Sequence, residues 1–360
     1  MECLPGTPAA CNICRDLSDT AVVVKFAGVS NGMTMAPVRR RIAARHDDAL
    51  RVVLTNRRPL RFVDGANLAA DLPGHVRAAS ALRRAGSRLV ILQDDVNAIA
   101  VLEPSNGSVQ PLLLPAGRGG ERVFDDLRGN KACKLDLEAC ATLPDGRLVA
   151  LGSGSSARRE HVVVVEAGLG AASVVDATPL YAVLRTHSRA SGAELNIEGA
   201  CVGGDRLWLV QRGHGKRPDS CWNALIALDL EQFLQWLHRG AAVPQVVALT
   251  TVDLQTTPDG IPFGFTDATL AHDGRLAFLA CAEDSADVRT DGPILGCRFG
   301  LIDARSVEAV MADVIEADGS PTGLKLEGIE ARPGRADAYD VVADMDRPVE
   351  PAVLAELLVS

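Results

Sequence analysis

Aromatic side chains are scarce in this sequence, at 4% of residues, so a core must pack on Val, Leu and Ala rather than on rings. Long apolar runs are missing as well. Stretches such as Ala21 to Val24 and His161 to Val165 fall far short of the roughly 20 residues that a spanning helix needs. The opening MECLPGTPAACNICRD has no basic start leading into a continuous apolar segment, which argues against a secretory signal and against a membrane partner. Basic charge is in deficit: the net charge of −9 excludes a broad nucleic-acid surface, though not a local basic pocket. Cys11-x-x-Cys14 is half a zinc knuckle, and no second CxxC or HxxxH completes it. The nine cysteines are an odd number, and Cys140, Cys201 and Cys281 sit inside apolar strands. They read as small buried hydrophobes in a reducing compartment, which makes the cytoplasm the expected location.

What the sequence does contain is a repeat. Five stretches share a small or acidic residue, a short apolar strand, an Asp/Gly turn and a second apolar strand: Ser80 to Leu92, Glu138 to Leu151, Glu198 to Val210, Asp267 to Leu279 and Glu327 to Val342. Their lead residues lie about 60 positions apart, near the length of a four-stranded propeller blade. The turns PDG (144–146), GGD (203–205), HDG (272–274) and RPG (332–334) have the chemistry that tight hairpins need. Third and fourth strands are expected at 161–167 with 173–184, and at 224–230 with 244–254. A helix is expected over Glu231 to Arg239, and another is an option over Val307 to Ile315. The fold class expected is therefore all-β, a single β-propeller domain over residues 46–360 behind a mobile leader at 1–45. Five blades is the count, with six only if one were hidden in the leader. Too little chain follows Asp346 for a full blade. Ala352 to Val359 and Ala49 to Thr55 are expected to join in one blade, closing the ring and removing open sheet edges.

A ring makes a prediction about convergence. A hairpin joins strands one and two at one end, so the start of strand one and the end of strand two share the other. Glu138, Glu198, Asp267 and Glu327 should then circle one mouth of the channel. Gln93, Asp94, Ser153, Ser155, Gln211, Arg212, His214, Glu283, Asp284, Asp344 and Asp346 should stand beside them, with Lys131, Lys134, Arg159 and Lys325 in the same loops. Converging carboxylates repel one another unless a cation, basic neighbours or protonation relieves them. Oxygen ligands suit Ca²⁺ or Mg²⁺, and interleaved Lys, Arg and His suit an anionic small molecule, phosphate above all. The candidate metal ligands are Glu138, Glu198, Asp267 and Glu327. The candidate catalytic residues are Glu198, Glu327 and His214, and the candidate ligand contacts are Lys134, Arg212, Ser153, Gln211, Glu283 and Asp284. The plain alternative is structural, with each acid accepting backbone N–H bonds or pairing with Arg. GSGSS (152–156) reads as a loop, since it lacks the Lys and the helix of a phosphate-binding loop, and neither serine has the strand–turn–helix setting of a nucleophile elbow. Trp208, Trp222 and Trp236 read as packing residues.

The phrases KLDLEACATLPDGRLVALGSGS, LNIEGACVGGDRLWLVQRGHG, FTDATLAHDGRLAFLACAEDS and KLEGIEA resemble a group of bacterial propellers similar to esterase-like or phytase-like propeller domains. The resemblance covers Ala49 to Ser360. It implies calcium ions at the mouth that hold a phosphate ester and activate water, with Glu198 and Glu327 at the acidic position of the repeated motif. Glu138 matches it with Ala139 in place of Gly, Asp267 is a shorter acid, and Ser80 breaks the series. Gluconolactonase and strictosidine-synthase-like propellers are a looser resemblance and imply one divalent cation and a lactone hydrolase. A non-catalytic propeller that meets protein on a flat face is the third reading.

Overall fold

The computed structural model describes residues 36–117, 119–187, 195–213, 222–284 and 292–360. Three strands precede the repeats: β1 (Val38–Ala43), β2 (Arg45–His46) and β3 (Val52–Pro59). One antiparallel unit follows as β4 (Ala79–Ala85), β5 (Arg88–Gln93), β6 (Ala98–Glu103) and β7 (Ser108–Leu113), and the next as β8 (Leu137–Thr142), β9 (Leu148–Gly152), β10 (His161–Val165) and β11 (Ala172–Asp176). Then come β12 (Ile197–Gly203), β13 (Arg206–Gln211), β14 (Ala224–Asp229) and β15 (Val246–Asp253), with β1 running parallel along the outer edge of β15. The next unit comprises β16 (Phe263–Leu270), β17 (Leu276–Glu283), β18 (Ile294–Asp303) and β19 (Glu308–Ile315). The last repeat supplies β20 (Lys325–Ala331), β21 (Ala338–Asp344) and β22 (Val353–Val359). Its outer strand is β3, antiparallel to β22 from Val353↔Pro59 to Val359↔Val52. Chain segments some 300 positions apart thus share one sheet.

Buried apolar clusters sit between consecutive units and continue around the molecule. Leu92 packs with Leu137 and Val163, Ala139 and Leu151 with Ile197 and Leu209, and Val210 with Phe265 and Phe278. Leu279 and Phe299 pack with Ile329 and Val341, and Val342 and Leu354 return to Leu82 and Ile91. The first strands β4, β8, β12, β16 and β20 touch in a closed cycle. Such a cycle is an all-β propeller, each sheet burying its faces only against its neighbours. Phe265 and Phe278 meet edge to face at 5.2 Å between centroids, and Trp236, Tyr181 and Phe233 are fully buried, so the few rings occupy interior positions.

Several local expectations change. Residues 36–46 of the leader are joined to the outer edges of sheets through β1 and β2. The stretch expected as a fourth strand at 173–184 divides into β11 and a helix, α1 (Thr178–Arg185). Pro179 suits its first turn, the Asp176 carboxylate accepts from the Thr178 N–H at 3.0 Å, and Leu180, Tyr181 and Leu184 form one buried stripe. A second helix, α2 (Leu230–Arg239), agrees with its spacing and is capped by Asp229 and Gly240. Residues 307–315 form a strand, not a helix, because β19 finds antiparallel partners along β18. Cys281 is disulfide-bonded to Cys297 directly across that unit, so Cys140 and Cys201 are the free cysteines among the described residues. The case for a reducing compartment loses that member. Trp222 is partly exposed beneath Arg41 rather than packed between units. Among the described residues no helix is long and apolar enough to cross a membrane.

Every first strand carries a bulge near its start, and the bulge resets the repeat alignment. The register shifts around Ser80, Glu138, Glu198, Thr266 and Glu327. Thr266, not Asp267, therefore corresponds to the three glutamates. Asp267 corresponds to Ala81, Ala139, Gly199 and Gly328, and a slip of one residue on a strand reverses the direction of the side chain. A Cβ at Gly199 would stand 2.6 Å from the Asp267 carboxylate, and one at Gly328 would stand 2.7 Å from the Leu82 nitrogen. These small residues mark where the first strands crowd the axis.

Into that crowded axis the chain places an ion pair. Arg83 Nη1 and Nη2 bond the two Asp267 carboxylate oxygens at 2.8 and 2.7 Å. The same guanidinium donates to the carbonyls of Ala200 at 3.2 Å, Ile329 at 2.9 Å and Ala268 at 2.6 Å, and to that of Leu82. Ala268 N–H and Ile329 N–H return bonds to Asp267 at 2.8 and 3.0 Å. With Arg83 2% and Asp267 0% exposed, the pair is buried among the first strands. Removing one partner leaves a buried charge uncompensated. We expect Arg83→Met and Asp267→Asn each to lower unfolding free energy by about 3–5 kcal/mol in urea titrations, and the double variant to cost less than their sum. Single variants within about 0.5 kcal/mol of wild type would refute this account.

Candidate functional site

On the side of the axis where first strands begin lies a cavity of about 620 Å³. Eleven carboxylates and seven cationic side chains line it. Strand alternation builds its wall. In KLDLE, Lys134, Asp136 and Glu138 are two residues apart and face the cavity, while Leu135 and Leu137 are buried in the core. Asn196 with Glu198, and Lys325 with Glu327, repeat the arrangement on β12 and β20. Ser80 and Thr266 hold the corresponding bulge positions with hydroxyls, each donating at 2.6 Å to the carbonyl before the next glutamate, Leu137 or Leu326.

The charges form two linked groups. In one, Lys134 Nζ contacts Asp94 and lies 2.6 Å from Asp136 Oδ1, while Arg159 approaches Asp136 Oδ2 at 2.9 Å and the Ser153 hydroxyl donates to the same oxygen. Burial opposes ionisation of Asp136, but Lys134, Arg159 and Ser153 outweigh it and hold the carboxyl below its usual range. For Glu138 the pull of Lys134 is outweighed. Burial and the neighbouring Asp94, Asp136 and Glu198 push it well above the usual range. In the other group, Lys325 Nζ lies 3.1 Å from Glu327 Oε1 and 3.4 Å from Asp346, and Arg212 Nη2 bonds Glu283 at 2.9 Å. Glu283 is held low, because Lys325, Arg212 and the Gly292 N–H overcome its burial. Asn196 donates to Glu198, yet burial pushes this acid up to about 7 against the pull of Arg212 and Lys325. Glu327 rises further, to about 8, through burial and the nearness of Glu198, with Lys325 opposing. Its Oε2 is buried and has no hydrogen-bond partner. At the rim, Arg77 binds Asp95 at 2.6 Å and Asp125 at 3.3 Å.

Of the residues expected here, Glu138, Glu198, Glu327, Lys134, Arg212 and Glu283 line the cavity. Asp267 does not, for the reason of register given above. Ser153 lies beneath the wall, bonded to Asp136, and Gln211 is fully buried, accepting from Asn196 N–H and donating to the Arg212 carbonyl. Asp284 is exposed beyond the lining, and His214 lies outside the described residues. The expected ligand set also changes. The acids whose oxygens come within 4.8 Å of one another are Asp94, Asp136 and Glu138, which share only Glu138 with the set read from the repeat. Asp136, Arg77 and Asp95 were missing from the expected site. The alternation in KLDLE is the signal that would have found Asp136, whereas Arg77 and Asp95 lie outside the aligned part of the repeat.

The chain belongs to a family of unknown function, DUF6929, whose model matches residues 75–359. No curated protein matches the sequence. Glutaminyl cyclase from Myxococcus xanthus is 14% identical over 90% of this chain and 100% of its own, with a TM-score of 0.45. A mannose phosphorylase from Leishmania mexicana, solved with a phosphate ion, is 10% identical over 84% of this chain and 88% of its own, also at 0.45. A putative gluconolactonase is 10% identical over 88% and 98%, at 0.38. Likeness at these levels carries no chemistry across.

The raised acids set a pH dependence. Glu198 and Glu327 hold protons in the folded state up to about 7 and 8, but an unfolded chain releases them near its ordinary glutamate value of 4.5. The folded state therefore binds more protons across that interval, and the stability these two acids confer is lost as pH rises through 7 to 8. In chelator-treated protein the thermal midpoint should fall between pH 6 and pH 9, and Glu198→Gln with Glu327→Gln should flatten the slope. An unchanged slope in that double variant would contradict the assignment.

Proposed function

We propose that this family member is a five-bladed propeller hydrolase acting at the charged mouth of its channel on an ester that carries an anionic group, a phosphoester first and a lactone second. The carrying observation is Glu327: a buried acid facing the cavity, protonated to about 8, with one carboxyl oxygen unpartnered. An acid that keeps its proton at neutral pH can give it to a leaving oxygen. Glu198, at about 7, has both of its states available near neutrality and would take a proton from water. Asp94, Asp136 and Glu138 offer oxygens that suit Ca²⁺ or Mg²⁺. Such an ion would polarise the ester oxygen and lower the pKa of bound water. Arg212 and Lys325, held by Glu283 and Glu327, fix where the anionic group would lie.

The test is turnover by the full chain on aryl phosphates and small lactones, with millimolar Ca²⁺ or Mg²⁺ and with chelator. Glu327→Gln should lower kcat by at least about 100-fold with little change in folding, and wild-type activity should decline as pH rises past about 8, where the acid loses its proton. Turnover equal to wild type in both Glu327→Gln and Glu198→Gln, or none on any member of the panel, would remove the proposal.

A further inference from the structure

Lys134 occupies a place of its own in this mouth. Arg159 reaches Asp136 alone, at 2.9 Å, but the Lys134 ammonium bridges two acids of the cluster, touching Asp94 and 2.6 Å from Asp136, with the side chain 7% exposed. Both acids belong to the group whose oxygens could converge on one ion, and Glu138, the third, is hydrogen-bonded to no described residue. The second observation is independent of that cluster. Across the same cavity, Glu327 is 6% exposed and its Oε2 has no partner, so a buried polar atom faces the cavity with its bonding capacity unused. A buried polar atom left unpaired costs free energy, and in a lined pit a ligand is what can satisfy it.

An ammonium and a hard divalent cation want the same thing from carboxylates, and they cannot share the space. Ca²⁺ contacts its oxygens at about 2.3–2.6 Å and Mg²⁺ at about 2.0–2.1 Å, closer than an ammonium hydrogen bond. Two charges on one ion also outweigh one on a lysine that four flexible bonds allow to leave. We propose that Lys134 is an internal stand-in for a divalent cation at Asp94, Asp136 and Glu138. Arrival of the ion drives its ammonium out into the cavity, where it becomes a receptor for the anionic group of the substrate. The proposal rests on the hydrolase reading above and gives its site an order: cation first, anion second. Before the ion arrives Lys134 is committed to Asp94 and Asp136, so its charge is unavailable to the substrate. Once the ion has bound, two carboxylates are satisfied by it and the freed lysine points a positive charge at the same space.

Calorimetry on chelator-stripped full-length protein tests this with Ca²⁺ and Mg²⁺ as the probes. Lys134→Met should bind either ion at least tenfold more tightly than wild type, having lost its competitor, and Asp136→Asn should lose binding. Inorganic phosphate should bind Mg²⁺-loaded wild type at least tenfold more tightly than stripped wild type, and that gain should vanish in Lys134→Met. A measurement on unaltered protein guards against a variant that fails to fold. Acetylation of Lys134 by an amine-reactive ester, read by peptide mass spectrometry, should rise several-fold when Ca²⁺ saturates the site. Ion affinity in Lys134→Met equal to or weaker than wild type, labelling that Ca²⁺ leaves unchanged or lowers, or no ion binding by either protein would overturn the proposal. Failure of the hydrolase reading alone would appear differently, as ion exchange and labelling intact with no ester turned over.

Discussion

Everything in this molecule is arranged around one buried contact, the Arg83–Asp267 pair on the axis. A ring of sheets packs its faces against neighbours and leaves a narrow centre lined by backbone, where five first strands bring carbonyls that no ladder partner satisfies. One guanidinium, with donors in a flat fork, answers carbonyls from four of the repeats at once. It can do so only if its charge is matched, and Asp267 supplies the match at the one repeat where the small axial residue is replaced by an acid. Alanine or glycine at the equivalent positions makes room for it. The pair has two consequences. It ties sheets that also meet through apolar clusters and through hydrogen bonds such as Ser80 to Leu137 and Thr266 to Leu326, and it fills the axis where the first strands crowd together.

The pit shows the opposite balance of the same forces. Its acids outnumber its bases, and burial has stripped away much of the water that would screen them. Where a cation is close, as for Asp136 and Glu283, ionisation survives. Where burial and neighbouring acids outweigh the nearest cation, as for Glu138 beside Lys134 and Glu327 beside Lys325, the acid keeps its proton. The protein thus holds neighbouring acids in different charge states, and it is this separation, rather than any single residue, that the proposed acid–base chemistry would use.

Much of this could be read from sequence because repeats magnify weak signals. One PDG turn says little, but PDG, GGD, HDG and RPG at even spacing after short apolar strands specify hairpins that recur. The joining of 49–55 with 352–359 followed from counting strands in the last repeat, and the strands that pair run over 52–59 and 353–359. What could not be read was the bulge. A one-residue insertion leaves no mark in composition or spacing, so TDA aligned by its acid rather than by its threonine, and Asp267 was placed in the mouth instead of on the axis. The helix at 178–185 was missed for a related reason: apolar residues continuous with β11 satisfy strand and helix patterns equally until Pro179 and its cap decide. The contact of Lys134 with Asp94 was likewise invisible, since Asp94 comes from the preceding repeat and only the ring brings the two together.

The shared sheet of β3 and β22 also says something about time. A chain emerging in order from its N-terminal side makes β3 early and can offer it no antiparallel neighbour until residues 353–359 appear. Until then the growing molecule is an open arc with two raw edges, its axial arginine surrounded by too few carbonyls, its acidic pit lacking the wall that carries Lys325 and Glu327. Closure of the ring is therefore late: the last repeat brings Ile329 to the axial arginine and the wall with Lys325 and Glu327 to the pit, whereas the Asp94, Asp136 and Glu138 group comes from the first two units.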